Sequence, residues 1–275
     1  MNSAAPLGGK LPTRMVEKVW GMDILPAPFS DSAGSADKRI GEIWFEPAPE
    51  VDRLLVKYLF TSEKLSVQVH PSDEQAPSGG SGKEECWLVL DAEPDARLAI
   101  GFAQDITSDA MRAAALDGSI EDLLVWHTAK AGDFFYLPAG TVHAIGPGLS
   151  LIEIQQNSDI TYRLFDYGRP RDLHLEQGMA VAHGTPHDPA LRRSLGISGN
   201  AQLVDGPHFR LDRVAGLPAA GVLARYSGKV LIIPLAGSVG LGEIRIGAGE
   251  CGWAEDLALA DFTKAESVLL TQPAG

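Results

Sequence analysis

Apolar and polar residues alternate along much of the chain in short runs. In Leu65-Ser66-Val67-Gln68-Val69-His70 the apolar positions are separated by polar ones. A strand sends successive side chains to opposite faces, so Ser66, Gln68 and His70 share one face and Leu65, Val67 and Val69 the other. Glu85, Trp87 and Val89 likewise form one face of the next run, with Cys86, Leu88 and Leu90 behind them. Two neighbouring strands of this kind can aim Gln68, His70 and Glu85 into one space.

The same pattern recurs in IGEIWFEP, RLLVKYLF, RLAIGF, GDFFYLPAGTVHAIG and GLSLIEIQQNSDITYRLFDYG. These are short runs rich in β-branched and aromatic residues, separated by turn residues, which predicts an all-β barrel or sandwich. A helical insertion is expected at about 108–127, opening on Ser108-Asp109 and continuing through Ile120, Leu123, Leu124 and His127. DLHLEQGMAVAHG leans helical, and 184–189 reads as a linker. Residues 1–35, rich in Pro, Gly and Ser, read as an arm that wraps a domain edge. The segment 36–190 then forms a first domain and 191–275 a second, degenerate barrel. The strands of the second half are weaker but regularly spaced, and its single histidine, His208, makes a second metal site there improbable.

Length and composition set outer bounds. A 275-residue chain that is 45% hydrophobic and carries 30 Gly and 18 Pro can bury a sizeable core built from many turn-rich elements. Its formal net charge of −13 and lack of a basic cluster argue against nucleic acid, although a small anion could be held where a few cations converge. The N-terminal residues lack the apolar stretch of a secretion signal, and no run is long enough to span a bilayer, so the expectation is a cytoplasmic protein with no membrane partner. Cys86 and Cys251 are far apart and without metal-type spacing, which reads as two small buried residues.

The candidate chemistry lies in the first domain. Gln68, His70, Glu85 and His143 are four oxygen or nitrogen donors that could close around one divalent cation. Lys83, two residues before Glu85, shares that strand face. His183 and His187 are four apart, but Gly184 and Pro186 disfavour the helix that would align them. His127, His174 and His208 read as surface or packing histidines, and Trp20, Trp44 and Trp87 as core.

Four segments, LSVQVHPSDEQA, GKEECWLVLDAEPDARLAIGF, GDFFYLPAGTVHAIGPG and IEIQQNSDITYRLFDYGRPRDLHLEQG, resemble in order and spacing the class I mannose-6-phosphate isomerases in their short bacterial form. The similarity runs from about Gly21 to Gly178. It implies two cupin-type (jelly-roll) barrels, one zinc ion per chain, and interconversion of mannose 6-phosphate and fructose 6-phosphate. It places the zinc ligands on Gln68, His70, Glu85 and His143, puts Lys83, Asp159 and Arg163 in the catalytic pocket, and assigns substrate contacts to Ser66 and Arg169. Where long members carry a helical domain, this chain has only the short segment 108–127.

These residue types suit the reaction. Moving a proton between two adjacent carbons passes through an enediol whose oxygen gathers negative charge. A zinc ion held by two imidazoles, one amide oxygen and one carboxylate keeps a net positive charge that can polarise the sugar oxygens. Arg163 suits the enediolate or a phosphate oxygen, and proximity to the cation is expected to lower the pKa of Lys83. Asp159 lines the pocket in this reading, while the proton-transfer base stays open between Asp159, a metal-bound water and another carboxylate such as Glu153. Alternatives are an isomerase or epimerase of an unphosphorylated sugar, a non-catalytic metal-dependent sugar sensor, and an iron-dependent oxygenase, the last weakened by Gln68. The edge strands of the second barrel leave a homo-oligomer open.

Overall fold

The computed structural model describes residues 7–30 and 38–274. In chain order its strands are β1 (Gly8–Lys10), β2 (Thr13–Met22), β3 (Ile40–Phe45), β4 (Leu54–Thr61), β5 (Val67–Val69), β6 (Glu85–Ala92), β7 (Arg97–Phe102), β8 (Leu124–Thr128), β9 (Asp133–Leu137) and β10 (His143–Ile145). They continue as β11 (Leu149–Gln156), β12 (Tyr162–Phe165), β13 (Arg192–Ser194), β14 (Ala201–Asp205), β15 (Phe209–Val214), β16 (Val230–Leu241), β17 (Ile244–Gly247), β18 (Gly252–Ala254) and β19 (Ala265–Pro273). Between them stand four short helices, α1 (Ser108–Asp117), α2 (Ile120–Leu123), α3 (Leu175–Val181) and α4 (Ala220–Leu223). The mainly β architecture expected from the alternation is borne out, and none of the described helices is long and apolar enough to cross a membrane.

The pleat sorts the side chains into layers. A middle sheet runs in the order β13-β9-β6-β11-β4-β3-β2. From one of its faces Val56, Tyr58, Phe60, Leu88, Ile152 and Ile154 meet Phe209, Leu211, Ile233 and Leu269 of the C-terminal sheet in one core. From the other, Leu59, Trp87, Val89, Phe135 and Leu151 meet Leu98, Ile100 and Ile145 of a front sheet ordered β12-β5-β10-β7-β8. Behind the front sheet, Met111, Ala114 and Ala115 of α1 and Val181 of α3 cover Val67, Val69, Phe102 and Leu164. Side chains of this size each contribute ~1.5–3 kcal/mol when fully buried.

The C-terminal sheet has the order β1-β18-β16-β19-β15-β14, with β17 added on β16. It closes over a second apolar interior that includes Val230, Ile232, Leu241, Phe262, Val268 and Leu270.

The structure adds detail to the N-terminal stretch, whose two strands lie at sheet edges, and shortens the helical insertion. The N-terminal stretch contributes paired strands, β1 to the C-terminal sheet and β2 to the middle sheet, while residues 1–6 and 31–35 of the expected arm lie outside the described residues. The helical insertion ends at Leu123, because Leu124–Thr128 pairs with β7 and sets His127 opposite Leu98. Thr107 caps α1 by accepting the Ala110 N–H at 3.2 Å. Gly118 ends the helix at φ 87°, where a Cβ would also lie 3.0 Å from the Phe165 ring.

Candidate metal centre and its cavity

Register brings the candidate donors together. His143 on β10 and Arg163 on β12 both stand opposite Gln68 of β5. Across the interior, on the middle sheet, Gln155 of β11 stands opposite Glu85, and Glu153 lies between Lys57 of β4 and Trp87 of β6. The front sheet and its flanking loop therefore supply Gln68, His70 and His143, and the middle sheet supplies Glu85, Glu153 and Lys57. The turn before β10 is tight: a Cβ on Gly140, at φ 81°, would fall 2.6 Å from the His183 ring.

One ligand atom each from His70, Glu85 and His143 lies within 4.8 Å of the other two, and all three residues are buried. Each imidazole is oriented by its far nitrogen, His70 Nδ1 at 2.8 Å from the Ile160 carbonyl and His143 Nδ1 at 2.9 Å from the Thr141 carbonyl. Those contacts require hydrogen on Nδ1 and leave Nε2 as the acceptor facing Glu85, at 3.5 Å for His70 and 3.4 Å for His143. Gln68 brings its amide to the same space, with Nε2 3.2 Å from His143 Nε2 and Oε1 accepting from Ser66 at 3.2 Å. Burial holds both imidazoles below the usual histidine range, His70 well below it with Lys83 and His143 adding to the effect, which favours the neutral ring.

Glu85 is 1% exposed, and neither of its oxygens receives a directed hydrogen bond. A buried carboxylate without such partners calls for positive charge. Lys83 supplies it here, with Nζ 2.7 Å from Glu85 Oε2 and 3.2 Å from His70 Nε2. Burial alone would raise the Glu85 pKa, but Lys83 and His143 overcome it and the net direction is down. For Lys83, burial is outweighed by Glu85 and Glu153, so its pKa rises, opposite to the direction expected beside a cation.

Gln68 and Lys83, which touch the cluster, also line a cavity of about 390 Å³ that His70, Glu85 and His143 do not reach. Lys83, Ser66, Asp159 and Arg163 line it, with Arg163 Nε donating to the Asp172 carbonyl at 3.1 Å. Arg169 is absent from this lining. Its guanidinium is taken up by Glu63 at 3.0 Å, Asp166 at 3.3 Å and the Lys64 carbonyl at 2.8 Å. The neighbouring lining cation is Arg171, held by two 2.6 Å bonds to the buried Asp166 carboxylate.

Sequence reasoning missed Lys57, Glu42 and Trp44, and mentioned Glu153 only as an alternative base. Glu153 receives the Trp87 indole N–H at 3.0 Å and lies 3.3 Å from Lys57 and 3.9 Å from Lys83. Burial lowers the Lys57 pKa even with Glu153 opposing, and its ammonium sits 4.3 Å from the Trp44 ring centroid. A signal was present: Lys57 is the one charge inside the apolar run LLVKYLF, and Glu42 and Trp44 are two apart in IGEIWF, on one strand face.

Fold and site together define a mainly β protein of layered antiparallel sheets with a buried His-Glu-His cluster, separated from a charged cavity by Gln68 and Lys83. Its relatives are mannose-6-phosphate isomerases, and the resemblance read from the motifs is borne out. The chain is 38% identical over 186 residues to the probable mannose-6-phosphate isomerase GmuF of Bacillus subtilis, covering 62% of this chain and 58% of that protein. It is 44% identical over 137 residues to the mannose-6-phosphate isomerase ManA of the same organism, covering 46% and 43%. The aligned stretch thus spans less than two thirds of either relative. Among solved structures, the mannose 6-phosphate isomerase from Bacillus subtilis superposes with a TM-score of 0.72 at 21% identity, covering 96% of this chain and 99% of that one. A variant of the phosphomannose isomerase from Salmonella typhimurium gives 0.69 at 13% identity, covering 98% and 100%. These likenesses establish the fold. No protein-family model matches the chain.

Proposed function

We propose that the chain interconverts mannose 6-phosphate and fructose 6-phosphate, with a divalent cation, zinc by the donor set, held by Gln68, His70, Glu85 and His143. The observation that carries this reading is the buried convergence of Glu85 with the Nε2 atoms of two imidazoles, at 3.5 and 3.4 Å, each ring turned that way by a backbone carbonyl on its Nδ1 and with Lys83 as the charge beside them. Two neutral imidazoles and one carboxylate fit zinc, with the Gln68 amide joining them once it is turned over to present its oxygen in place of the nitrogen now facing His143, and when bound zinc supplies Lewis-acid polarisation of the sugar oxygens. The sequence relatives support the choice of substrate.

Protein residues account for the remaining chemistry. Glu153 is fixed by Trp87 and faces Lys57 and Lys83, which suits it to take a proton from one sugar carbon and return it to the next. Lys83, buried, and Arg163, half-buried at the cavity wall, stabilise the negative charge that gathers on the enediol oxygen. Asp159, exposed at the cavity wall, serves to line the pocket. Ser66 and Arg171 contact the substrate, with the Nη1 group of Arg171 and the terminal nitrogens of Arg163 left to donate to the phosphate. Arg169 acts from further out, through the shared Asp166 carboxylate.

Turnover of mannose 6-phosphate in deuterated water, followed by NMR, tests this reading. Fructose 6-phosphate formation with solvent deuterium entering at the transferred position supports it. Conversion of mannose alone would move the substrate to an unphosphorylated sugar, and silence with both would leave a sugar-binding sensor.

A further inference from the structure

We infer that His208 is a positioning residue through which the C-terminal sheet clamps the loop that carries the candidate metal ligands. This rests on the metal-centre reading above. The loop 71–84 leaves β5 just after His70 and returns just before Glu85, so its two ends set the spacing of those donors. The ends approach closely: the Lys83 N–H donates to the Pro71 carbonyl at 2.9 Å and the Gly82 N–H to Asp73 Oδ1 at 2.7 Å. A Cβ on Gly82 would lie 2.5 Å from the Ser72-Asp73 backbone, so the approach needs glycine there.

Each end carries a carboxylate, and both face His208. Its Nδ1 is 3.5 Å from Asp73 Oδ2, and its Nε2 is 3.6 Å from Glu84 Oε1. A single imidazole therefore spans the start and the finish of the loop, within ion-pair reach of both carboxylates. Gln156 braces the same two points from β11, with its Nε2–H on Asp73 Oδ1 at 3.1 Å and its Oε1 accepting the Glu84 N–H at 2.9 Å, while Tyr136 donates its hydroxyl to Glu84.

His208 is itself anchored in the C-terminal sheet. Its carbonyl accepts the Ala274 N–H at 2.8 Å, and the adjacent Phe209, fully buried, has its ring centroid 5.9 Å from that of Tyr136. Movement of this sheet against the middle sheet is thereby passed to the loop ends, and through them to His70, Lys83 and Glu85.

Hydrogen exchange of the metal-free full chain tests the clamp directly. In His208→Ala, amides of 72–84 are expected to exchange about 10-fold faster, with the rest of the middle sheet unchanged. With cobalt(II) as the probe, the visible d–d bands should shift and cobalt affinity should fall about 10-fold. For the isomerisation, kcat should fall while KM stays within about 2-fold, with His208→Gln restoring most of each effect. Unchanged exchange in 72–84, or a cobalt spectrum moved no more than by Leu270→Ala, a destabilising change in the C-terminal interior, would overturn the inference. Should His208→Ala not fold, Asp73→Asn, which removes the charge His208 faces at the start of the loop, gives the same readings, and His208→Gln is expected to read close to the wild type. Wild-type chain that binds cobalt but does not isomerise would sink the isomerase reading and leave the clamp standing. If the wild type binds no cobalt, the metal reading falls and the exchange data alone decide the clamp.

Discussion

Two interiors of this molecule are lined by the same kind of antiparallel strand and differ sharply in what they bury. The space between the middle and front sheets holds Lys57, His70, Lys83, Glu85, His143, Glu153 and Gln155, all buried. The interior of the C-terminal sheet is apolar, and its buried Asp212 is matched by the Tyr226 hydroxyl at 2.8 Å and Arg225 at 3.3 Å. Buried charge is weak evidence for stability, since desolvation of each ion costs several kcal/mol and an apolar core of equal volume does as well or better. The ionic interior is therefore held in place by the apolar layers around it, and its charges are explained by chemistry. The C-terminal interior is explained by burial alone.

Perturbing each interior separates the two roles. Glu85→Gln should lower kcat/KM on the order of 10³-fold, because several kcal/mol of charge stabilisation depend on the held cation. Steady-state kinetics beside metal content check this. The double replacement Lys57→Met with Glu153→Leu should cut turnover by at least ~10²-fold yet leave urea stability unchanged or raised by ~1–4 kcal/mol. A large loss of stability there would show that the ion pair serves the fold. Leu270→Ala should show the opposite pattern, losing ~2–5 kcal/mol in urea unfolding while kcat of the folded fraction holds within about 2-fold. At the cavity wall, Arg171→Ala should raise KM for mannose 6-phosphate about 10-fold and Arg169→Ala only about 2-fold, as their different placements require.

The sequence made the local features legible. Strict alternation placed Gln68 and His70 on one face, Glu85 and Trp87 on another, and these faces do converge. The Lys57-Glu153 contact was out of reach, because it depends on β11 pairing with β4 and β6 in a register set by long-range packing. The extent of the helical insertion was misread at Leu124, where pairing with β7 overrides a helical spacing that continues from α2. Neither alternation nor spacing could say which of Arg169 and Arg171 reaches the cavity, since that follows from how Asp166 and Glu63 divide the two guanidiniums between them.

The most direct test of the central claim is turnover of mannose 6-phosphate by the purified chain before chelation, after chelation, and after zinc is restored. The account predicts fructose 6-phosphate formation that is lost on chelation and recovered with zinc, in wild type and not in Glu85→Gln. Full activity in demonstrably metal-free protein would contradict it.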